Sequence, residues 1–91
     1  MLNLDKEKEG EGPLLMKDMG KILSSLASED ALKILQEARS GIMNSTEAIR
    51  KLGLTQKRYY TRLKPLIEVG LVRKTEKGYE LTVLGNLVYK I

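Results

Sequence analysis

The stretch NSTEAIRKLGLTQKRYYTRLKPLIEVG, residues 44–70, predicts two helices joined by a very short turn. Asn44 is a good N-cap for the first helix, Glu47 follows three residues later as in a capping box, and Gly53 ends the helix. Thr55 is the N-cap of a second, longer helix. The apolar residues of that helix share one face: Tyr59, Leu63 and Leu66.

The turn between these helices, Gly53-Leu54, is typical of a helix-turn-helix. In this motif a glycine bends the chain and the next apolar side chain fills the angle between the helices. The second helix enters the major groove of DNA, because a helix about 10 to 12 Å across fits a groove about 12 Å wide. We therefore expect the helix from Thr55 to Val69 to face double-stranded DNA. Pro65 predicts a bend within it, because proline removes one backbone hydrogen bond.

The outward side chains of this second helix form the candidate recognition surface. A glutamine amide can make two hydrogen bonds with adenine, whereas lysine and arginine donate either to guanine or to a phosphate. Tyrosine and threonine suit a phosphate oxygen or a thymine methyl group, and residue types alone leave the choice between bases and phosphates open. The candidates are Thr55, Gln56, Lys57, Arg58, Tyr60, Thr61 and Lys64.

Beyond Gly70 the sequence period changes from helical to extended. Leu71–Lys74 and Tyr79–Leu81 are short runs compatible with β-strands. Gly78, in the turn predicted between them, permits the positive φ of a hairpin. The predicted hairpin has a basic, exposed tip, and its candidates for DNA contact are Arg73, Lys74 and Lys77.

A further helix is predicted before residue 44. Ser28 is a good N-cap, Glu29 and Asp30 lie in the first turn where the helix dipole favours acidic side chains, and Gly41 supplies the stop. Its apolar residues Ala31, Ile34, Leu35 and Ala38 repeat on one face.

The stretch from Leu26 to Gly85 resembles the winged helix-turn-helix transcription regulators of bacteria and archaea, especially the arsenical-repressor-like (ArsR-like) type. The matching pieces are Leu26-Ala27-Ser28, Lys33-Ile34-Leu35, Leu52-Gly53-Leu54-Thr55-Gln56, Leu63-Lys64-Pro65-Leu66, Val69-Gly70-Leu71-Val72, Tyr79-Glu80-Leu81-Thr82 and Gly85. The resemblance implies a three-helix core, a β-hairpin wing along the phosphate backbone or minor groove, and a homodimer on a near-palindromic site. Metal sensing is not implied, because the metal sensors of that family use Cys and His ligands and this chain has neither.

Helices are also predicted at both ends of the chain, from Pro13 to Leu26 and from the cap Thr82 to Ile91. Both carry more apolar residues than one small domain needs to cover, so we expect them to form a homodimer interface. The predicted interface residues are Leu15, Met19, Ile22, Leu23, Leu84, Leu87, Val88 and Ile91. The predicted fold class is mainly α with a small β-hairpin: a winged helix-turn-helix with flanking N- and C-terminal helices.

Length and composition fit one small domain. The 91 residues are 42 % hydrophobic and 31 % charged, as in an ordinary soluble globular protein. Residues 1–12 combine charge and glycine with little apolar periodicity, so we expect a flexible tail there and a folded domain over 13–91. No apolar run approaches the roughly 20 residues of a membrane helix, and the N-terminus shows no signal pattern. We expect a cytoplasmic protein without a membrane partner.

The absence of Cys and His excludes disulfides, metal sites built from those ligands and histidine general bases. We therefore expect no enzyme activity, no cofactor and no metal. Between Arg50 and Lys77, nine basic residues stand against two acidic ones. Such a positive field favours a polyanion as partner.

The predicted function is sequence-specific binding of double-stranded DNA by a transcription regulator. The alternative is a winged-helix module for protein assembly or RNA contact, since a fold does not fix a function. An assembly module is expected to expose Leu, Ile or Met on the outward face of the helix from Thr55 to Val69. The residues on that face here are Lys57, Arg58, Thr61 and Lys64.

Overall fold

The computed structural model describes residues 19–90, which form five helices and one antiparallel strand pair. The elements are α1 (described over residues 19–25), α2 (Glu29–Arg39), α3 (Ser45–Leu52), α4 (Gln56–Glu68), β1 (Val72–Thr75), β2 (Gly78–Leu81) and α5 (Val83–Lys90). This is the predicted mainly α fold with a small hairpin. The predicted tail, the predicted start of the first helix at Pro13, and the interface candidates Leu15 and Ile91 lie outside the described residues.

Each of the helices α2 to α5 begins at a polar side chain that satisfies a free backbone amide. In every case the side-chain oxygen accepts a hydrogen bond of 3.0 or 3.1 Å from the amide three residues further on. The caps are Ser28, Asn44, Thr55 and Thr82. All four were predicted from the sequence, and all four are confirmed. Gly53 ends α3 in the left-handed conformation, with φ of 70°, as its position predicts.

The hydrophobic core lies between α2, α4 and the hairpin. Tyr59, Leu63 and Leu66 of α4 are completely or almost completely buried, as is Ile34 of α2. Leu54 is 7 % exposed in the turn between α3 and α4, which confirms its predicted place in the helix-turn-helix. α4 continues as one helix through Pro65.

The hairpin differs from the predicted one by the role of its glycine. Thr75 pairs with Gly78, so the connecting turn is only Glu76-Lys77 and Gly78 belongs to β2. A Cβ atom on Gly78 would lie 2.2 Å from the carbonyl oxygen of Met43, and φ is +152°. Gly78 is therefore required for two reasons: its positive φ, which the sequence predicts, and the close approach of a neighbouring backbone, which the sequence does not predict.

That neighbouring backbone forms a bridge that the sequence analysis missed. The amide of Met43 donates to the carbonyl of Tyr79 at 2.6 Å, and the amide of Tyr79 donates to the carbonyl of Met43 at 2.9 Å. A single bridging residue has no alternating pattern to detect in the sequence. The bridge joins the hairpin to the segment between α2 and α3, so it fixes the hairpin against the helical core.

Tyr59 joins α4 to the start of α3. Its side chain is completely buried, and its hydroxyl lies 3.0 Å from Oγ of Ser45. Burial raises the pKa of Tyr59 above its usual value, so the hydroxyl stays neutral. This bond links the buried face of α4 to the first residue of α3.

We predict that Ser45→Ala lowers the free energy of unfolding by about 1 to 3 kcal/mol, because it leaves the buried Tyr59 hydroxyl without a partner. Tyr59→Phe removes that hydroxyl and is expected to cost less, about 1 kcal/mol. Urea unfolding followed by circular dichroism measures both. The control is Tyr60→Phe, which changes an exposed ring and leaves stability unaltered. A Ser45→Ala variant as stable as the wild type contradicts the assignment.

Candidate nucleic-acid interface

α4 presents one continuous row of polar side chains away from the core. We call this row the outer strip: Gln56, Lys57, Tyr60, Thr61 and Lys64. All five are exposed, and together they line one shallow depression of the surface. Their spacing of three and four residues places them on one helix face, opposite the buried one. The structure thus brings together five of the residues that the sequence predicted for this surface.

Two of the predicted residues have structural partners: Tyr60 within the outer strip and Thr55 next to it. The Tyr60 ring packs edge-on against Tyr59, with the ring centroids 4.9 Å apart and the planes at 82°. A buried ring therefore supports the exposed one, which reduces the freedom of the Tyr60 side chain. The hydroxyl of Thr55 caps α4 by accepting a hydrogen bond from the amide of Arg58.

Arg58 lies beside the outer strip and pairs with α2. Its Nε and Nη2 atoms donate to the two carboxylate oxygens of Asp30 at 3.0 and 2.9 Å. The hydrogen bonds from Arg58 lower the pKa of Asp30, and the carboxylate raises the pKa of Arg58 in turn. The sequence predicts Asp30 only as a residue of the first turn of α2. Arg58 lies 28 positions further along the chain, so no local sequence pattern predicts the pair.

Arg62 lies on the same flank as Arg58. Its charge also lowers the pKa of Asp30, and its side chain lines a groove between α1 and α4. The four cations of α4 therefore form two groups. Lys57 and Lys64 belong to the outer strip, whereas Arg58 and Arg62 lie on the flank near α1 and α2.

The hairpin carries less free positive charge than predicted. Arg73 of β1 donates from Nε to a carboxylate oxygen of its cross-strand partner Glu80 at 2.6 Å. The tip consists of one acidic residue beside one basic residue, Glu76-Lys77. Within residues 19–90, Lys74 and Lys77 have no ion-pair partner. The unpaired positive charge of the hairpin is thus limited to Lys74 in β1 and Lys77 in the tip.

The predicted dimer residues divide into two groups. Met19, Leu23, Leu84 and Leu87 are between 40 and 63 % exposed, which leaves an apolar surface on α1 and α5. Ile22 and Val88 are half-buried and pack against the domain's own core, which accounts for their apolar character. Val83, at the start of α5, is 79 % exposed and was not among the predicted residues.

Two kinds of feature are absent from residues 19–90: clustered metal ligands and a membrane-spanning helix. No group of three or more acidic side chains in residues 19–90 is arranged to hold a metal ion. No helix in that range has both the length and the apolar character to cross a membrane.

Comparison with known proteins identifies the fold. The chain matches no protein-family model and no curated protein sequence. It is similar to a solved structure, reduced HlyU from Vibrio cholerae N16961, with a TM-score of 0.75 and 21 % sequence identity. The match covers 88 % of this chain and 90 % of that chain. The helix order, the short Gly53-Leu54 turn, the hairpin and this likeness together show that the chain has a winged helix-turn-helix fold.

Proposed function

We propose that this protein is a transcription regulator that binds specific sequences in double-stranded DNA. In this proposal α4 lies in the major groove and the hairpin acts as a wing along the phosphate backbone. The outer strip carries the proposal, because it is an exposed, contiguous polar surface on the second helix of a helix-turn-helix. The fold is shared with HlyU and permits this docking.

The chemistry of the outer strip supports base recognition. Gln56 lies in the first turn of α4, the end at which recognition helices approach the bases, and its amide can pair with adenine. Lys57 adds a donor for guanine or phosphate, and Thr61 suits a thymine methyl group or a phosphate oxygen. The strip contains no Leu, Ile or Met, the residue types that a protein-assembly surface would expose there. DNA is therefore the partner that it fits best.

Positioning on the DNA is proposed for the cations farther from the bases. Lys64 lies at the far end of the outer strip, and Lys74 and Lys77 lie on the wing, all of them exposed. Phosphate contacts fix the register of a protein on the duplex without reading its sequence. None of these contacts requires a cofactor, a metal or a catalytic step.

We further propose an ArsR-like homodimer that acts in the cytoplasm. The apolar surface of α1 and α5 supports pairing, because soluble monomers rarely expose large contiguous apolar patches. Pairing about a twofold axis would cover this surface and hold two copies of α4 about 34 to 36 Å apart, one turn of DNA. The proposed contacts are Met19, Leu23, Leu84 and Leu87, with Leu15, Ile22, Val88 and Ile91 as the remaining candidates.

Binding is expected to depend strongly on salt. If each subunit of a dimer places Lys57, Lys64, Lys74 and Lys77 on phosphates, about eight counterion equivalents are released and log K falls with log salt at a slope near −7. Affinity then decreases about 10⁴-fold between 50 and 200 mM salt. Fluorescence anisotropy with labelled DNA at several salt concentrations measures this slope. A slope near zero contradicts the proposed surface.

Substitutions are expected to separate base reading from positioning. Gln56→Ala and Thr61→Ala should weaken a preferred site, selected from genomic fragments against nonspecific competitor, by about 1 to 3 kcal/mol more than random DNA. Lys74→Ala and Lys77→Ala should weaken both DNAs equally, and serve as the matched controls. Gel shifts measure all four variants. A uniform effect of all four contradicts base reading by α4, and binding of RNA in preference to DNA favours the alternative function.

The dimer prediction uses the exposed apolar residues and spares the half-buried Ile22. Leu23→Glu combined with Leu87→Glu should give a folded monomer that keeps its helical circular dichroism and loses DNA affinity at micromolar concentration. Sedimentation measures the oligomeric state. Ile42→Glu, an equally drastic change at an exposed apolar residue away from α1 and α5, is expected to remain dimeric. A monomeric wild type at high concentration contradicts the assignment.

A further inference from the structure

We propose that Asp30 limits the sequence-independent affinity of this protein for DNA: by pairing with Arg58, it withholds one cation of α4 from the phosphates. The inference rests on the proposed DNA-binding function and assigns to Arg58 a role different from that of the outer strip. In this assignment α4 binds DNA through Lys57 and Lys64, while Arg58 stays paired with Asp30 of α2.

The geometry of the pair carries the first step. Both carboxylate oxygens of Asp30 accept a hydrogen bond from the same guanidinium, at 3.0 and 2.9 Å, which is the strong two-point arrangement of an arginine–carboxylate pair. By contrast, the pair between Lys51 and Glu37 is a single contact of 3.2 Å. Arg58 follows Lys57 of the outer strip directly in the chain, so the pair lies beside the proposed DNA surface.

Asp30 is the fixed partner of the two. Its side chain is 16 % exposed, whereas that of Arg58 is 56 % exposed. Asp30 lies in the first turn of α2, where the helix dipole favours a carboxylate, and Ser28 caps the same helix end. The carboxylate is thus held in place by α2, and it orients an otherwise mobile arginine away from the outer strip.

The electrostatic consequence concerns sequence-independent binding. The number of counterions released on DNA binding follows the cations that neutralise phosphates, and this term supplies essentially all of nonspecific affinity. A guanidinium neutralised by a carboxylate adds no net charge at the DNA surface. A free Arg58 in the first turn of α4 would add a phosphate contact and strengthen binding to every sequence by a similar factor. Asp30 therefore limits nonspecific binding.

The test compares the full-length wild type with Asp30→Asn, Arg58→Gln and the double variant. Random-sequence duplex DNA is the probe, and anisotropy is measured over a series of NaCl concentrations. Asp30→Asn should bind random DNA more tightly, with a log K against log salt slope steeper by about 0.9 per subunit. The double variant removes both charges of the pair and should return to the wild-type slope, whereas Arg58→Gln alone leaves the Asp30 carboxylate unpaired and should bind random DNA more weakly than the double variant.

A matched control separates the pair from the general effect of net charge. Glu37→Gln removes the same charge from the same helix, but its partner Lys51 belongs to α3 and not to α4. It should leave the slope unchanged. A slope as steep as that of Asp30→Asn would attribute the effect to net charge and overturn the inference.

Two other results would also overturn the inference. A shallower slope in the double variant than in the wild type would show that Arg58 leaves Asp30 and contacts phosphate in the wild type. An unchanged slope in Asp30→Asn would show that the pair does not restrain Arg58. The double variant has no unpaired charge, so its measurement decides the matter even if Asp30→Asn is poorly folded. A wild type that binds no DNA refutes the proposed function itself, whereas a salt-dependent wild type with an unaltered Asp30→Asn variant refutes only this inference.

Discussion

The burial of one face of α4 is the constraint on which the rest of the structure depends. Tyr59, Leu63 and Leu66 are between 0 and 1 % exposed, so α4 cannot rotate about its axis without exposing part of the core. Exposure of a single such side chain costs about 1.5 to 3 kcal/mol, a large share of the stability of a small domain. The hydrogen bond between the hydroxyl groups of Tyr59 and Ser45 adds a polar contact at the junction with α3. The outer strip faces outward because the opposite face of α4 is buried in the core.

The wing depends on a second constraint, which is backbone to backbone. Met43 and Tyr79 exchange two hydrogen bonds, and Gly78 allows their backbones to approach each other. A two-stranded hairpin alone is marginally stable in water. Its attachment to the segment between α2 and α3 gives the wing a defined position relative to α4. In the proposed function, the distance between the groove-reading helix and the phosphate-contacting wing follows from these two attachments.

The charges of the molecule are arranged more selectively than its composition suggests. Arg58 and Arg73 are each held by a carboxylate, on Asp30 and Glu80, whereas the lysines of the outer strip and wing are free of ion pairs within residues 19–90. The planar group of Arg58 forms the two-point pair for which arginine is suited, and lysine supplies flexible point charges. The proposed DNA surface is accordingly a lysine surface with Gln56, Tyr60 and Thr61 between the charges.

Local sequence determined the helices, their caps and the buried face of α4, because capping and a 3.6-residue period act between residues a few positions apart. It also placed Gln56, Lys57 and Thr61 on one outward face, since helical spacing alone decides that grouping. Only the tertiary structure decided that Arg58 is paired with Asp30 and that Ile22 and Val88 support the domain's own core. The same holds for the Met43 bridge and for the close approach of the Met43 backbone to Gly78. These features depend on contacts between segments distant in the chain, and a local pattern carries no information about which distant segment will supply the partner.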